Sequence, residues 1–415
     1  MTSASESAPS ESANDANTSL PRVIVKRRRA LPFFNRHPWV FAGAIQRVEG
    51  QPQPADEVAL VSAEGKFIAR GLYNPDSNIR VRLYSWDEGI AIDRPFLSAR
   101  LDEAIALRQV LFTGDQIQFP HRIVYSEADG LSGLIVDRYG DWLIIQLTSL
   151  AVAHRREALI ELLNEKLSPR GIWLRTEKGI RAAEGLTIKD GLLSGEEPPR
   201  PMFVEENGIQ FGVDVVQGQK TGLFLDQREN RQAVARYVTG RRVLDMFCYT
   251  GGFSLAAAKL GNAKEIIGID SSETAITTAK ANAELNEVVD RLHFEKADAF
   301  TKLEQLSGAG ERFDAVILDP PKMARNRSGL NKAMRGYHSL NQLAISVLNA
   351  NGILVTCSCS GHVSRELFET MLSSVAESTN RPIQILESCG AAADHPVSAS
   401  CLENGYLKCY ICRVV

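Results

Sequence analysis

No apolar run in this sequence approaches the roughly 18 to 20 residues that a membrane-crossing helix needs. The first residues also lack the pattern of basic, apolar and small residues that marks a secretory signal peptide. These two absences predict a cytoplasmic protein without a membrane partner. With 415 residues and a hydrophobic share of 44%, the chain is large and apolar enough for two or three globular domains.

The sequence also lacks the cysteine patterns of a disulfide framework or a zinc module. Seven cysteines is an odd number, and several fall in segments that read as buried strands, which fits a reducing compartment. Cys409 and Cys412 form a Cys-x-x-Cys pair without a second pair or a spaced histidine pair. Because residues 407–413 alternate as a terminal strand would, we predict no metal site there or elsewhere.

Charge is distributed unevenly along the chain, although the net charge is only −3. Residues 1–20 carry three acids and no base, and this polar tract predicts a disordered acidic tail. Residues 21–100 carry thirteen Lys and Arg against eight Asp and Glu. The surplus is concentrated in a basic cluster, Lys26, Arg27, Arg28 and Arg29. A solvated protein surface would also explain this cluster, but the location of the cluster in a small β domain favours contacts with nucleic-acid phosphates.

The amino-terminal half of the chain predicts two units. Short alternating runs broken by glycine and proline indicate a small β-barrel over residues 21–92. Within it, Arg80 and Arg82 alternate with apolar residues, so we expect both guanidiniums on the outer face of a strand, where they can pair with RNA phosphates. A helix from about residue 93 leads into a central α+β unit, 93–195, and residues 191–201 read as a linker.

From residue 202 to 415, strands alternate with helices. This alternation predicts an α/β fold with a mostly parallel, doubly wound sheet covered on both faces. Ligands of such sheets bind beyond the carboxyl ends of the strands, which is where Asp245, Asp270, Asp319 and Cys359 all fall. We therefore expect the functional site at this edge.

The acids at this edge favour one cofactor chemistry. After Asp245, residues 247–252 turn into a helix, and their glycines allow close approach of a ligand. Asp270 can accept both hydrogen bonds of a ribose diol, and Asp298 can accept from an adenine amino group. No Gly-x-Gly-x-x-Gly is present, and a carboxylate at Asp245 suits an amino group and a sulfonium better than a pyrophosphate. A turn or capping role is the structural alternative for Asp245.

Two further motifs follow later strands of the same sheet. Asp319-Pro320-Pro321-Lys322 supplies rigid carbonyls and a carboxylate beside a flat substrate, unless it is a plain strand-ending turn. Cys357 and Cys359 follow the next strand, although free cysteines are usually buried hydrophobes. Addition of a thiolate at carbon 6 of a pyrimidine makes carbon 5 nucleophilic enough to accept a methyl group. These residues leave open which of the two thiols attacks.

Four segments carry a further signal when they are taken together: 244–253, 319–322, 358–361 and 392–396. As a set they resemble the RlmI family of 23S ribosomal RNA cytosine-5 methyltransferases, from about residue 22 to the end of the chain. The basic β unit is similar to the PUA RNA-binding domain of that family. Residues 219–228 resemble the segment that packs around the cofactor.

The resemblance implies a class I, Rossmann-like methyltransferase fold with S-adenosylmethionine as methyl donor. It implies that Cys359 is the nucleophile. The chemistry of cytosine separately suggests that Asp319 holds N3 and the exocyclic amine of the base. The expected cofactor contacts come from Asp245, Phe247, Tyr249, Gly251, Asp270, Asp298, Asp319 and Pro320. The chain departs from the family pattern in its acidic tail and in Cys357, which stands where an apolar residue is expected.

The leading hypothesis is therefore an RNA cytosine-5 methyltransferase whose partner is ribosomal RNA. Guanine methylation at N7 or N2 by a relative with the same Asp-Pro-Pro motif is the alternative, and it needs no thiol. A nicotinamide oxidoreductase is disfavoured by the glycine spacing, and an RNA-binding adaptor by the intact cofactor acids. The oligomeric state is left open between monomer and homodimer.

Overall fold

The computed structural model describes residues 20–176, 178–216, 218, 222–324 and 326–415. The predicted acidic tail, residues 1–20, lies outside these ranges except for Leu20, and so do residues 219–221 of the predicted cofactor segment. Within the described residues, no helix combines the length and the apolar composition needed to cross a membrane.

The amino-terminal unit is built from six strands and one short helix: β1 (Arg22–Val25), α1 (Leu31–Phe34), β2 (Trp39–Phe41), β3 (Ile45–Glu49), β4 (Glu57–Val61), β5 (Phe67–Tyr73) and β6 (Ile79–Ser85). They form one sheet in the order β2-β6-β5-β4-β1-β3 around a small apolar core. Gly71 allows β5 and β6 to approach, since a Cβ there would lie 2.6 Å from Val81 Cγ1. The alternating sequence pattern predicted this β unit correctly.

The central unit combines a five-stranded sheet with four helices: α2 (Arg94–Leu111), β7 (His121–Tyr125), β8 (Leu134–Tyr139), β9 (Trp142–Leu147), α3 (Leu150–His154), α4 (Arg156–Leu167), β10 (Gly171–Leu174), α5 (Lys178–Glu184) and β11 (Gly191–Gly195). The strand order is β11-β10-β9-β8-β7. Residues 191–195 were expected to be linker and instead pair with β10. That expectation was wrong because the pairing comes from a strand distant in sequence, which local composition does not encode.

The carboxyl-terminal unit begins with a hairpin, β12 (Met202–Glu206) and β13 (Ile209–Val213), that the sequence pattern did not reveal. The remaining elements are α6 (Arg228–Ala235), β14 (Arg242–Met246), α7 (Gly252–Lys259), β15 (Glu265–Asp270), α8 (Glu273–Leu285), β16 (Leu292–Lys296), α9 (Ala299–Gly308), β17 (Phe313–Leu318), α10 (Leu330–Ser346), β18 (Leu348–Ser358), α11 (Arg365–Thr379), β19 (Ile383–Cys389) and β20 (Lys408–Val414).

Seven of these strands form one sheet in the order β16-β15-β14-β17-β18-β20-β19. Six of them point in the same direction, and β20 is antiparallel to both of its neighbours, β18 and β19. Separate apolar clusters cover the two faces of the sheet. The predicted α/β class with a mostly parallel, doubly wound sheet is confirmed. Residues 409 and 412 lie in β20 as expected, and their side chains join opposite clusters, so they cannot share one metal ion.

A buried aspartate connects the central unit to the carboxyl-terminal unit. Asp394 Oδ2 accepts a hydrogen bond of 2.8 Å from the backbone of Arg122, at the start of β7. Its Oδ1 lies 2.9 Å from Arg228 Nη2 and 2.9 Å from His395 Nδ1. Burial would raise the pKa of Asp394, but the charge and hydrogen bond of His395, followed by those of Arg228, hold this pKa below its usual range. The segment 392–396 therefore has a structural role at this junction.

Candidate active site

Strand register brings the predicted site residues to one edge of the seven-stranded sheet. Met246, at the end of β14, lies opposite Ile269 of β15 and Leu318 of β17. Leu318 in turn lies opposite Thr356 of β18. The residues that follow these four positions therefore emerge side by side at the carboxyl edge, as expected for a ligand site in a parallel sheet.

Asp245 is fully buried beneath this edge. Its Oδ2 accepts a hydrogen bond of 2.6 Å from Ser254, while its Oδ1 has no hydrogen-bond partner among the described residues. Burial raises the pKa of Asp245 to about 7; the Ser254 bond opposes this, and the charges of Asp319 and Asp270 add to it. An acidic edge with an unsatisfied buried oxygen is suited to a cationic ligand that brings N–H donors.

The turn after β14 holds an unusual backbone. Phe247 and Tyr249 have φ values of 64° and 49°, and Gly251 has a φ of 89°. Two bulky residues in the left-handed region indicate local strain of the kind found at binding sites. Only glycine suits position 251, because a Cβ would also lie 2.9 Å from the ring of Phe294. This turn leads into α7, so its geometry sets the floor of the candidate cofactor site.

The next two acids along the edge have different surroundings. Asp270 is half-buried and accepts hydrogen bonds of 3.0 Å from Tyr249 N and 2.9 Å from Ser272 N. A carboxylate can accept about four hydrogen bonds, so Asp270 retains the capacity to bind a diol. Asp298 is exposed and caps α9 through 3.0 Å bonds from Thr301. The proposed adenine contact of Asp298 remains a prediction.

Cys357, in β18, and Cys359, just after the end of β18, have different environments. Cys357 is fully buried and lies opposite Cys409 in β20. A hydrogen bond to the Cys409 thiol, together with burial, raises the pKa of Cys357 well above its usual value. Cys359 follows the end of β18, is half-buried, and places its Sγ 3.9 Å from the carbonyl oxygen of Pro320. Of these two thiols, Cys359 is the one that lies beside the loop that begins with Asp319.

Side chains from three elements hold the loop around Cys359. Ser358 Oγ donates a 3.0 Å hydrogen bond to the hydroxyl of Tyr337, in α10. Ser360 Oγ accepts a 3.2 Å bond from Ala324 N, and Ser360 O accepts a 2.7 Å bond from Lys408 Nζ. Sequence reasoning did not single out Tyr337 or Lys408. A lysine within the apolar run 407–412 was the available signal for Lys408.

The predicted basic cluster is exposed on the amino-terminal unit. Lys26, Arg27, Arg28 and Arg29 all face solvent. Lys26 Nζ donates a 2.9 Å bond to Gly43 O, and Arg27 lies 3.9 Å from Glu64. The phosphate contacts of this cluster remain a prediction.

The expectation that both arginines of β6 lie on the outer face was wrong for Arg82. Arg80 is half-buried, but Arg82 is only 8% exposed. The guanidinium of Arg82 forms ion pairs of 3.0 Å with Glu127 and 3.2 Å with Glu184. The central unit packs on this strand, and a guanidinium buried there is stable only when it is paired. Arg82 therefore stabilises the contact between the two units and is not available to phosphate.

One group of potential metal ligands lies away from the sheet edge. Ligand atoms of His37, Cys401 and Glu403 are within 4.8 Å of one another. His37 Nε2 and Glu403 Oε1 are 3.3 Å apart and satisfy one another as a hydrogen-bonded pair. The absence of a metal site stays a prediction.

Comparisons with known proteins agree with this architecture. Residues 23–86 match the family of PUA-like domains, and residues 189–383 match the family of S-adenosylmethionine-dependent methyltransferases. Ribosomal RNA large subunit methyltransferase I of Erwinia tasmaniensis is 41% identical over 395 residues, which cover 95% of this chain and 99% of the relative. The protein of the same name from Photobacterium profundum is 43% identical over 394 residues, or 94% and 99% of the two chains.

Solved structures show the same fold. A protein from Streptococcus mutans assigned as an S-adenosylmethionine-dependent methyltransferase has a TM-score of 0.82 at 19% identity, covering 95% of this chain and 100% of that chain. SMU.776, assigned as a methyltransferase and solved in complex with SAH, has a TM-score of 0.83 over the same shares of the two chains, also at 19% identity.

The family match identifies S-adenosylmethionine as the cofactor, and the residues at the edge fit it. Its ammonium and sulfonium are cations, which suit an edge that carries Asp245, Asp270 and Asp319, and the unsatisfied oxygen of Asp245 can accept a hydrogen bond. The extent of the match over nearly the whole of both chains decides the family. The chain belongs to the family of ribosomal RNA large subunit methyltransferase I, built from a PUA-like domain and an S-adenosylmethionine-dependent methyltransferase domain.

Proposed function

We propose that this protein methylates carbon 5 of a cytosine in large-subunit (23S) ribosomal RNA, through a covalent bond between Cys359 and carbon 6. One observation carries the proposal: Cys359 lies at the ligand edge beside Pro320, whereas Cys357 is buried against Cys409. The names of the similar proteins support ribosomal RNA of the large subunit as the substrate.

In this mechanism, the thiolate of Cys359 supplies the electron pair that bonds to carbon 6. The π electrons of the C5–C6 bond become available at carbon 5, which is otherwise too poor a nucleophile. Bound S-adenosylmethionine supplies an electrophilic methyl group. After carbon 5 has taken that methyl group, its proton leaves to water. The electrons of the C5–H bond restore the C5–C6 double bond, and the S–C6 electron pair returns to Cys359.

Asp319 and the loop it begins orient the base in this proposal. The Asp319 carboxyl group accepts a hydrogen bond from the exocyclic amine of cytosine and, when protonated, donates one to N3, where negative charge develops. The rings of Pro320 and Pro321 keep the backbone of this loop rigid. Asp245 and Asp270 hold the cofactor on the other side of the same edge, with Phe247, Tyr249, Gly251 and Asp298 around it.

The remaining parts of the chain bind the RNA. We assign phosphate contacts to the basic cluster of Lys26, Arg27, Arg28 and Arg29, with Arg80 nearby on the 21–92 unit. The 93–195 unit joins this unit to the methyltransferase unit, 202–415. The target base must leave its stack to reach Cys359, at a cost of about a few kcal/mol. The cytoplasm, where a reducing environment keeps thiols free, remains the predicted location.

The deciding experiment compares Cys359→Ser with Cys357→Ser. Each full-length variant is incubated with S-adenosylmethionine and ribosomal RNA from a strain that lacks the enzyme, and modified nucleosides are mapped by mass spectrometry. We expect 5-methylcytosine from wild type and Cys357→Ser, and none from Cys359→Ser. Methylated guanine at N7 or N2 that survives in Cys359→Ser would establish nitrogen methylation instead.

A trapping experiment tests the covalent step separately. RNA that contains 5-fluorocytosine cannot lose its carbon 5 substituent as a proton, so the adduct with the enzyme persists. The adduct should form in wild type and Cys357→Ala and be absent in Cys359→Ala. An adduct that persists in Cys359→Ala but is lost in Cys357→Ala would assign the nucleophile to Cys357.

A further inference from the structure

Lys408 is a buried lysine next to the candidate nucleophile. It is only 2% exposed, and its Nζ donates hydrogen bonds of 2.7 Å to Ser360 O and 2.6 Å to Tyr406 O. Within the described part of the chain, no carboxylate lies close enough to Nζ for an ion pair. Burying a charged ammonium against neutral carbonyls alone is costly, so this arrangement calls for a compensating partner.

Strand register places that ammonium beside the loop of Cys359. Lys408 is the first residue of β20 and lies opposite Ser358, the last residue of β18. Its hydrogen bond to Ser360 O fixes the other side of the loop. Lys408 therefore contacts the residues on both sides of Cys359. It pairs with Ser358 through the backbone of the sheet and binds Ser360 O through its side chain.

The charge of Lys408 and a thiolate at Cys359 influence one another. Burial lowers the pKa of Lys408 to about 8, and a thiolate at Cys359 acts in the opposite direction and favours the ammonium. The positive charges of Arg365 in α11 and of Lys322 in the Asp-Pro-Pro loop also contribute to this lowered value. By reciprocity, the ammonium favours the thiolate of Cys359.

Other ionisable groups around Cys359 do not replace Lys408. Tyr337, on α10, is a neutral phenol whose pKa is raised by burial and is lowered in part by its bonds to the serines on either side of Cys359. A negative charge on Asp319 raises the pKa of the neighbouring Cys357, so the ionised form of Asp319 would disfavour a thiolate. Lys322 is exposed, so water screens its charge.

We propose that Lys408 is a positioning residue that holds the Cys359 loop and stabilises the Cys359 thiolate before it attacks carbon 6. This inference rests on the proposed covalent mechanism. The proton of the thiol leaves to water, and the electron pair that remains on Sγ is the one that forms the bond to carbon 6. Lys408 itself neither gains nor loses a proton in this step.

The test measures the ionisation of Cys359 without RNA or methyl transfer. Full-length wild type, Lys408→Met and Lys408→Arg are alkylated with iodoacetamide between pH 5.5 and 9.5. Mass spectrometry follows the peptide that contains Cys359. Arg413→Met, an exposed substitution on the same strand, is the matched control. Cofactor binding measured by calorimetry reports whether each variant is folded.

An opposite charge within about 4 to 6 Å of an acidic group lowers its pKa by about 1 to 3 units. We expect half-maximal alkylation of wild-type Cys359 below the ordinary thiol value of about 8.5. In Lys408→Met, alkylation at pH 7 should slow by roughly tenfold, which corresponds to one pKa unit. Lys408→Arg and Arg413→Met should keep the wild-type profile.

Two results would overturn the proposal. One is a folded Lys408→Met variant with an unchanged alkylation profile. The other is a wild-type Cys359 with an ordinary thiol pKa, and this result stands even where Lys408→Met does not fold. Both results concern the ionisation of the thiol alone. The proposed function would fail in a different way, by methylation that survives in Cys359→Ser.

Discussion

Replacing Asp394 by asparagine tests the buried junction between the central and carboxyl-terminal units. The substitution keeps the size of the side chain but removes its charge and turns an N–H₂ group toward Arg228 or His395. Removing one partner of a buried, hydrogen-bonded ion pair costs about 3 to 5 kcal/mol. Because Asp394 has three polar contacts within 3 Å, we apply this cost to its substitution. We expect a loss of this size in the free energy of unfolding.

Tryptophan fluorescence during urea unfolding measures this loss selectively. The four tryptophans are Trp39, Trp86, Trp142 and Trp173, all in the amino-terminal and central units. At a urea dependence of roughly 2 kcal/mol per molar, the midpoint should fall by about 1.5 to 2.5 M. Asp290→Asn, an exposed control, should leave it unchanged. An Asp394→Asn midpoint within about 0.3 M of wild type would refute a stabilising role for this junction.

The pH dependence of the same contribution has a definite sign. The folded pKa of Asp394 lies below its unfolded value, so its stabilisation is fully present above the unfolded value of about 3.9 and is lost as the pH falls toward the folded pKa. The difference between wild type and Asp394→Asn should therefore shrink as the pH falls below about 4. A difference that is as large in stronger acid as at about pH 5 would contradict the assignment to Asp394.

Two further predictions concern ligand binding. Arg27→Ala combined with Arg28→Ala should weaken binding to all RNA sequences alike and reduce the slope of log Kd against log salt concentration by about two. Unchanged affinity at low salt in a filter-binding assay would contradict this role. Because burial raises the folded pKa of Asp245 to about 7, this carboxyl is ionised mainly above that pH. Calorimetry should show S-adenosylmethionine binding about tenfold weaker at pH 6 than at pH 8, and Asp245→Asn should lose this pH dependence.

The sequence was sufficient for the fold class and for the family. Alternating apolar residues determine which face of a strand is buried, and the regular exchange of strands and helices from residue 202 onward determines a mostly parallel sheet. Since such a sheet gathers the carboxyl ends of its strands, the positions of Asp245, Asp270, Asp319 and Cys359 along the chain already placed them at one edge.

Long-range packing decided what local patterns could not. The alternation that exposes Arg80 also predicted an exposed Arg82, but the central unit covers that strand and supplies Glu127 and Glu184 as partners. Residues 191–195 became a strand only because β10 offered an edge to pair with.

The two thiols of the 356–361 segment illustrate the same division. Residue types and spacing showed that a cysteine was available at the ligand edge, but two cysteines met that description. Their environments differ because β18 ends at Ser358 and pairs with β20, which buries Cys357 against Cys409 and leaves Cys359 beside Pro320. Partners that lie 39 to 52 residues away in the chain have no local signature, so only the tertiary structure distinguishes these thiols.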